Sequence, residues 1–149
     1  MKTIEFTLKN QDNQDITLSD YQGQYVVLYF YPKDFTPGCS QQACQYQASI
    51  VQFRQEDVKL FGISRDSADS HQKFKEKYGL QFDLLTDHKG RLSKQLGINM
   101  LGNLMSKRTT FIVDPKQELI KTLHDVDPEQ DAYQVLEFIR QHKKEKHND

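Results

Sequence analysis

A buried strand that runs directly into a helix, with a cysteine at the join, constrains this chain more than any other feature. Val26 to Tyr31 is an unbroken apolar and aromatic run. It is long enough for a strand covered on both faces and too short for a helix. Pro32 ends the ladder, because it has no N–H to donate. Thr36-Pro37 then reads as a helix N-cap followed by proline at the first helical position. Gly38 is the second helical residue and Cys39 the third. The spacing predicts a thiol in the first turn of a helix that leaves the carboxyl end of a central strand. Open α/β folds place their sites at that end.

That placement has chemical consequences. The thiolate is the reactive form of cysteine, and an ordinary thiol has a pKa of about 8.5. A helix N-terminus offers free N–H groups and favours an anion by about 0.3–1 kcal/mol, or ~2 kcal/mol in a partly buried site. At about 1.36 kcal/mol per unit, the helix alone does not make a strongly activated sulfur. A hydroxyl donor and a fixed cation are expected as well. Thr36 is the local hydroxyl, claimed both by helix capping and by donation to sulfur; the cation must come from elsewhere in the chain. The second cysteine, Cys44, follows five residues on. In one regular helix the two are separated by about 7.5 Å of rise and about 140° of rotation. Their Cα atoms are then about 8.7 Å apart, beyond the roughly 7 Å that a disulfide spans. Either Cys44 is an inert core cysteine, or the pair bonds only when the helix opens.

Pro32, Thr36 and Cys39 match the pattern Pro-x-x-x-Thr-x-x-Cys, and the segment resembles the active site of the peroxiredoxins. The run from Tyr29 to Cys39, with a second cysteine five positions later, is similar to the Q-type subgroup, also called bacterioferritin comigratory proteins. Phe61 to Ser64, Leu84 to Asp87 and Arg108 to Asp114 fall where that subgroup has comparable segments. The resemblance implies a thiol peroxidase that reduces hydrogen peroxide and organic hydroperoxides. Cys39 would be the peroxidatic nucleophile and Cys44 the resolving thiol, joined in an intramolecular disulfide that thioredoxin or a similar dithiol reduces. Arg108 would be the missing cation and Thr36 the hydroxyl, with Pro32 shielding the sulfur from bulk water. The subgroup also implies a monomer, and the cycle needs no cofactor, metal or nucleotide. Two positions depart from its pattern: Gln42 stands where Glu is common, and Gln47 where Arg is common.

The remaining chain reads as alternating strands and helices. Ile4 to Leu8 and Asp15 to Leu18 are β-compatible, with Asn10 to Asn13 as the turn between them. The helix opened by Thr36 is expected to run to about Gln55, with Cys44, Ile50, Val51 and Phe53 among its apolar positions. Val58 to Ile63 is a strand. Ser67 or Asp69 caps a helix that runs through about Tyr78 and is closed by Gly79. Phe82 to Leu85 is a short strand, Asp87 to Gly90 a turn, and Leu92 to Leu96 a short helix. Ile98 to Lys107 reads as a loop with a short extended part. Thr109 to Val113 and Glu118 to Leu123 form a hairpin. Asp127-Pro128-Glu129 starts the last helix, whose inner face is Ala132, Val135, Leu136 and Ile139. His142 to Asp149 is highly charged and expected to fray. This order predicts one α/β domain over residues 1–149, thioredoxin-like, with three α/β/α layers around a central mixed sheet.

Composition excludes several classes. With 28% charged residues and a net charge of -1, there is no electrostatic case for nucleic acid or membrane binding. Met1 to Phe6 holds no apolar signal region and no run approaches a membrane span, so a cytoplasmic protein is expected. There two cysteines are more often catalytic, metal-binding or inert than a structural disulfide. The five histidines stand at no metal-ligand spacing with a cysteine and read as surface residues. A cysteine protease would need a paired histidine, and only His124 is placed to serve. Tyr31 could lend a hydroxyl to the pocket, although aromatics here are more often core. A disulfide oxidoreductase and a non-enzymatic redox sensor are the rival readings. The former ordinarily uses Cys-x-x-Cys, whereas the five-residue step here requires unwinding.

Overall fold

The computed structural model describes residues 3–100, 102 and 104–147. In chain order its elements are β1 (Thr7–Asn10), β2 (Asp15–Thr17), β3 (Tyr25–Phe30), α1 (Pro37–Ala48), α2 (Ile50–Gln55), β4 (Val58–Ser64), α3 (Ala68–Tyr78), β5 (Asp83–Thr86), α4 (Arg91–Gln95), β6 (Asn99–Met100), β7 (Met105–Ser106), β8 (Thr109–Val113), β9 (Leu119–Leu123) and α5 (Asp131–His147). Seven strands form one sheet in the order β2-β1-β5-β4-β3-β8-β9. β3 runs parallel to β4 and antiparallel to β8, so the sheet is mixed. β6 and β7 make a separate small hairpin within the stretch expected as a loop; Leu101 and Asn103 of that stretch lie outside the described residues.

β3 explains why its run is apolar throughout. All six of its residues are buried. Tyr25, Val27 and Tyr29 point into a core with Ala43 and Tyr46 of α1, Phe53 of α2, Phe74 of α3, and Val135 and Ile139 of α5. Val26, Leu28 and Phe30 point into a second core with Ile4, Leu18, Leu92 of α4, and Ile98. Each large apolar side chain so buried contributes about 1.5–3 kcal/mol, which makes this strand the anchor of both cores. The result is the expected three-layer, thioredoxin-like architecture. Local signals hold at α3, where Ser67 Oγ accepts from the Ser70 N–H and Gly79 closes the helix at φ 61°, ψ 37°.

Three expectations need correction. The helix begun at Pro37 stops at Ala48, and a separate turn starts at Ile50. Ser49 lies between at φ -102°, ψ 8°, with its N–H turned back to Tyr46 O at 3.1 Å. That tight i−3 bond breaks the regular ladder. Secondly, Cys44 and Val51 are exposed rather than core residues. The inner face of α1 is Cys39, Gln42, Ala43 and Tyr46, an i, i+3, i+4, i+7 stripe that includes a glutamine. Thirdly, α5 continues to His147 instead of fraying from His142; Asn148 and Asp149 lie outside the described residues. His142 Nδ1 meets Tyr25 Oη at 2.7 Å, Arg140 Nε donates to Glu56 Oε2 at 2.9 Å, and the Lys143 ammonium donates to the Glu56 carbonyl.

Candidate active site

Pro32 leaves β3 half-buried, and Pro37 starts α1 with Cys39 as its third residue. Cys39 is 1% exposed. Both cysteines are free thiols. Thr36 has the extended backbone of an N-cap, φ -82° and ψ 150°, but its side chain makes no capping bond. Its Oγ1 donates instead to Lys33 O at 2.8 Å. The one hydroxyl proton is therefore engaged with the backbone and is not given to the sulfur, while the oxygen accepts no N–H of the helix end.

Arg108 reaches the sulfur from 69 residues away. Its Nη1 donates to Cys39 Sγ at 3.4 Å and to Gln42 Oε1 at 2.9 Å. The sheet brings it there. β8 pairs antiparallel with β3, with Thr109 opposite Phe30, so Arg108 projects beyond the carboxyl end of β3, where α1 begins. Gly38 leaves room for it, since a Cβ at that position would lie 3.0 Å from Arg108 Nη2. A guanidinium facing a sulfur at a helix N-terminus stabilises negative charge on that sulfur.

Below α1 the Tyr46 ring stacks on Tyr29 at 4.4 Å between centroids. Gly62 of β4 makes the stack possible, because a Cβ there would fall 2.8 Å from Tyr29 Cζ. Burial, reinforced by nearby negative charge, pushes the hydroxyls of Tyr29, Tyr31 and Tyr46 well above 10.0, so all three are neutral. All three are fully buried and belong to the core beneath α1.

The loop between β3 and α1 is held by a buried network. Tyr31 Oη donates to Asp34 Oδ1 at 2.6 Å, so it supports the loop instead of entering the site. Asp34 Oδ2 meets His71 Nδ1 at 2.7 Å, and His71 Nε2 meets Leu85 O at 3.0 Å. The ring thus bridges the Asp34 carboxylate on one side and the backbone carbonyl of Leu85 in β5 on the other. The Asp34 N–H donates to Asp66 Oδ2 at 2.8 Å. These bonds hold Phe35 at φ 66°, a conformation that a bulky residue keeps only when its surroundings dictate it. His71 is thus fully buried, against the surface placement expected of it. Its spacing with Phe74 and Tyr78, i, i+3 and i+7, was the signal for an inner helix position. Ligand atoms of Asp34, Asp66 and His71 lie within 4.8 Å of one another, yet each is already engaged in this network. His88 and His124 are exposed, and His142 is half-buried.

Comparison with known proteins agrees with the geometry. Residues 1–122 match the AhpC/TSA family. The chain belongs to that family. Peroxiredoxin Bcp of Bacillus subtilis strain 168 is 37% identical over 145 residues, covering 93% of this chain and 92% of that one. Chloroplastic peroxiredoxin Q of Suaeda salsa is 36% identical over 138 residues; the match takes in 91% of this chain but spans only 64% of that protein's length. The structure of the Xanthomonas campestris bacterioferritin comigratory protein, studied for alkyl peroxide reduction, superposes with a TM-score of 0.87 at 29% identity. That superposition covers 92% of this chain and 91% of that one. This peroxiredoxin is a thiol peroxidase of the Q and Bcp type. Among its described residues no helix is long and apolar enough to cross a membrane.

The sequence-predicted site residues converge only in part. Cys39 and Arg108 meet in space, with Thr36 at the same helix start. Cys44 lies on α1 but exposed, facing away from the buried stripe that carries Cys39. Gln42, read from sequence only as a departure from a family pattern, proves to be the second ligand of Arg108. Gln47 bonds to Gln81 across the surface, its Nε2 to Gln81 Oε1 at 2.9 Å and its Oε1 to the Gln81 N–H at 2.7 Å.

Proposed function

We propose that Cys39 is the peroxidatic cysteine and Cys44 the resolving one, in a single-chain peroxidase cycle recycled by a thioredoxin-like dithiol. The observation that carries this reading is the contact of Arg108 Nη1 with Cys39 Sγ at 3.4 Å, at the first turn of a helix. The Cys39 thiolate attacks the terminal oxygen of a hydroperoxide. A sulfur–oxygen bond forms, the O–O bond breaks, and the departing alkoxide takes up a proton to leave as an alcohol, or as water when the substrate is hydrogen peroxide. Sulfur is oxidised by two electrons and the peroxide is reduced by two. Arg108 and the N–H groups of the first turn stabilise charge as it moves from sulfur to the leaving oxygen. Thr36, its proton committed to Lys33 O, offers its lone pairs to the peroxide O–H and so orients it.

The sulfenic acid is then resolved within the same chain. Cys44 sulfur attacks Cys39 sulfur, the S–S bond forms, the S–O bond breaks, and the hydroxyl leaves with the Cys44 proton as water. Both thiols belong to α1, so the geometry above requires that helix to open first. An external dithiol reduces the disulfide by exchange and becomes oxidised in turn. Because both thiols are on one helix, no second copy of the chain is needed. Pro32 keeps bulk water from the sulfur, and Cys39's burial limits the substrate to hydrogen peroxide and small organic hydroperoxides.

The test is a pair of serine variants. Cys39→Ser is expected to abolish peroxide turnover with excess reductant. Cys44→Ser is expected to retain one rapid oxidation per chain and then stall, with no Cys39–Cys44 link in the mass spectrum. Undiminished turnover in Cys39→Ser would remove the assignment.

A further inference from the structure

Gln42 faces two charged groups at once. Its Oε1 accepts from Arg108 Nη1 at 2.9 Å, and its Nε2 donates to Asp131 Oδ2 at 3.0 Å. The neighbours dictate this orientation of the amide, since a guanidinium only donates and a carboxylate only accepts. Asp131 is the first residue of α5 and is fully buried. The same Oδ2 also accepts from Tyr46 Oη at 2.6 Å and from Thr110 Oγ1 at 2.8 Å. One buried carboxylate oxygen therefore joins α5, β8 and two points of α1. Burial raises the Asp131 carboxyl above its ordinary 3.8, while hydrogen bonds from Tyr46, Thr110 and Gln42 and the Arg108 charge act against that rise.

The two points on α1 flank the second cysteine. Gln42 lies two residues before Cys44 and Tyr46 two residues after it. Bringing Cys44 to Cys39 requires the residues between them to leave the helix. Gln42 is one of those residues, so the disulfide step must break its bond to Asp131. Opening that extends one turn further breaks the Tyr46 bond as well.

We propose that Asp131 is a positioning residue for the peroxidatic centre and a strap on the closed form of α1. Through Gln42 it holds the Arg108 guanidinium on the sulfur, which speeds the reaction with peroxide. Through Gln42 and Tyr46 together it resists the unwinding that disulfide formation needs, which slows resolution. The inference rests on the Cys39–Cys44 cycle described above. It gives a carboxylate on the last helix opposite effects on the two chemical steps.

The experiment separates those steps. The reduced protein is mixed with one equivalent of hydrogen peroxide, quenched at successive times with an alkylating agent, and its sulfenic and disulfide forms are resolved by mass. Asp131→Asn is expected to slow sulfenic acid formation about threefold or more and to speed disulfide formation about tenfold. Gln42→Glu sets two carboxylates together in a buried site and is expected to slow the first step. Combining it with Asp131→Asn restores that step to within about threefold of wild type, because the new carboxylate accepts from both Arg108 and the new amide. Tyr46→Phe removes one strap bond and is expected to speed disulfide formation; it carries the test should Asp131→Asn fail to fold. Unchanged rates, or both steps slowed by the same factor as in a general loosening of the fold, would overturn the strap. A wild-type protein that never forms the Cys39–Cys44 link would defeat the cycle itself, and the strap with it.

Discussion

Replacing Arg108 by methionine keeps the length and the apolar stem of the side chain and removes its charge. The lost nitrogen sits 3.4 Å from Cys39 Sγ and 2.9 Å from Gln42 Oε1. Two unit charges 3.4 Å apart attract by about 1.2 kcal/mol in water and about 4.9 kcal/mol at an effective dielectric of ~20. Arg108 is half-buried, so its interaction lies between those limits. Charge-assisted hydrogen bonds contribute about 1.5–3 kcal/mol, and deleting one donor from an oxyanion site costs about 2.7–4 kcal/mol of transition-state stabilisation. A value of about 3 kcal/mol corresponds to a roughly 150-fold slower reaction with peroxide. Arg108→Lys keeps a charge but lacks the planar fork, and a roughly tenfold loss is expected. The chain has no tryptophan, so the rate is best read by competition with a haem peroxidase for limiting hydrogen peroxide. Alkylation of Cys39 by iodoacetamide, followed in parallel, reports the sulfur without peroxide and should slow in the same order. Arg108→Met oxidised within threefold of the wild-type rate would refute the reasoning.

Two further outcomes follow from groups away from the sulfur. His71→Ala leaves Asp34 buried and short of its partner, and breaking a buried pair in this way costs about 3–5 kcal/mol. At roughly 2–4 °C per kcal/mol, the thermal midpoint should fall by about 6–20 °C in circular dichroism, and a fall below ~3 °C would show that the pair does not support the loop. Glu56 is held below its ordinary 4.5, first by the hydrogen bond from Arg140 and then by Lys143, against the opposing effect of burial. A depressed carboxylate contributes stability that is present above its unfolded value and lost as pH falls through the folded one. Glu56→Gln should therefore melt below wild type at pH 7, with the gap closing as pH drops below 4.5. A gap that stays constant down to about pH 3 would contradict the assignment.

The part of the site written in local backbone rules was legible in advance. The apolar run before Pro32 gave a strand buried on both faces, and Thr36-Pro37 set Cys39 as the third residue of a helix. Ser67 and Gly79 marked the ends of α3. Where side-chain labels replaced periodicity, the reading failed. Cys44 and Val51 are apolar by type but lie off the inner stripe of their helices, whereas polar Gln42 and His71 lie on theirs. The partner of the Thr36 hydroxyl was not legible either: capping and the sulfur both had a claim on it, and a nearby backbone carbonyl took its proton.

Caps, turns and strand stops depend on the φ and ψ preferences of a few adjacent residues, and the order of amino acids determines those directly. The meeting of Arg108, Gln42 and Asp131 beside Cys39 depends instead on the register of β8 against β3 and on where α5 begins above them. Those relations are set by how two cores pack against one sheet, and residues up to 92 positions apart enter them together. Only the tertiary structure could decide that a glutamine would carry a carboxylate's influence to the cation that faces the sulfur.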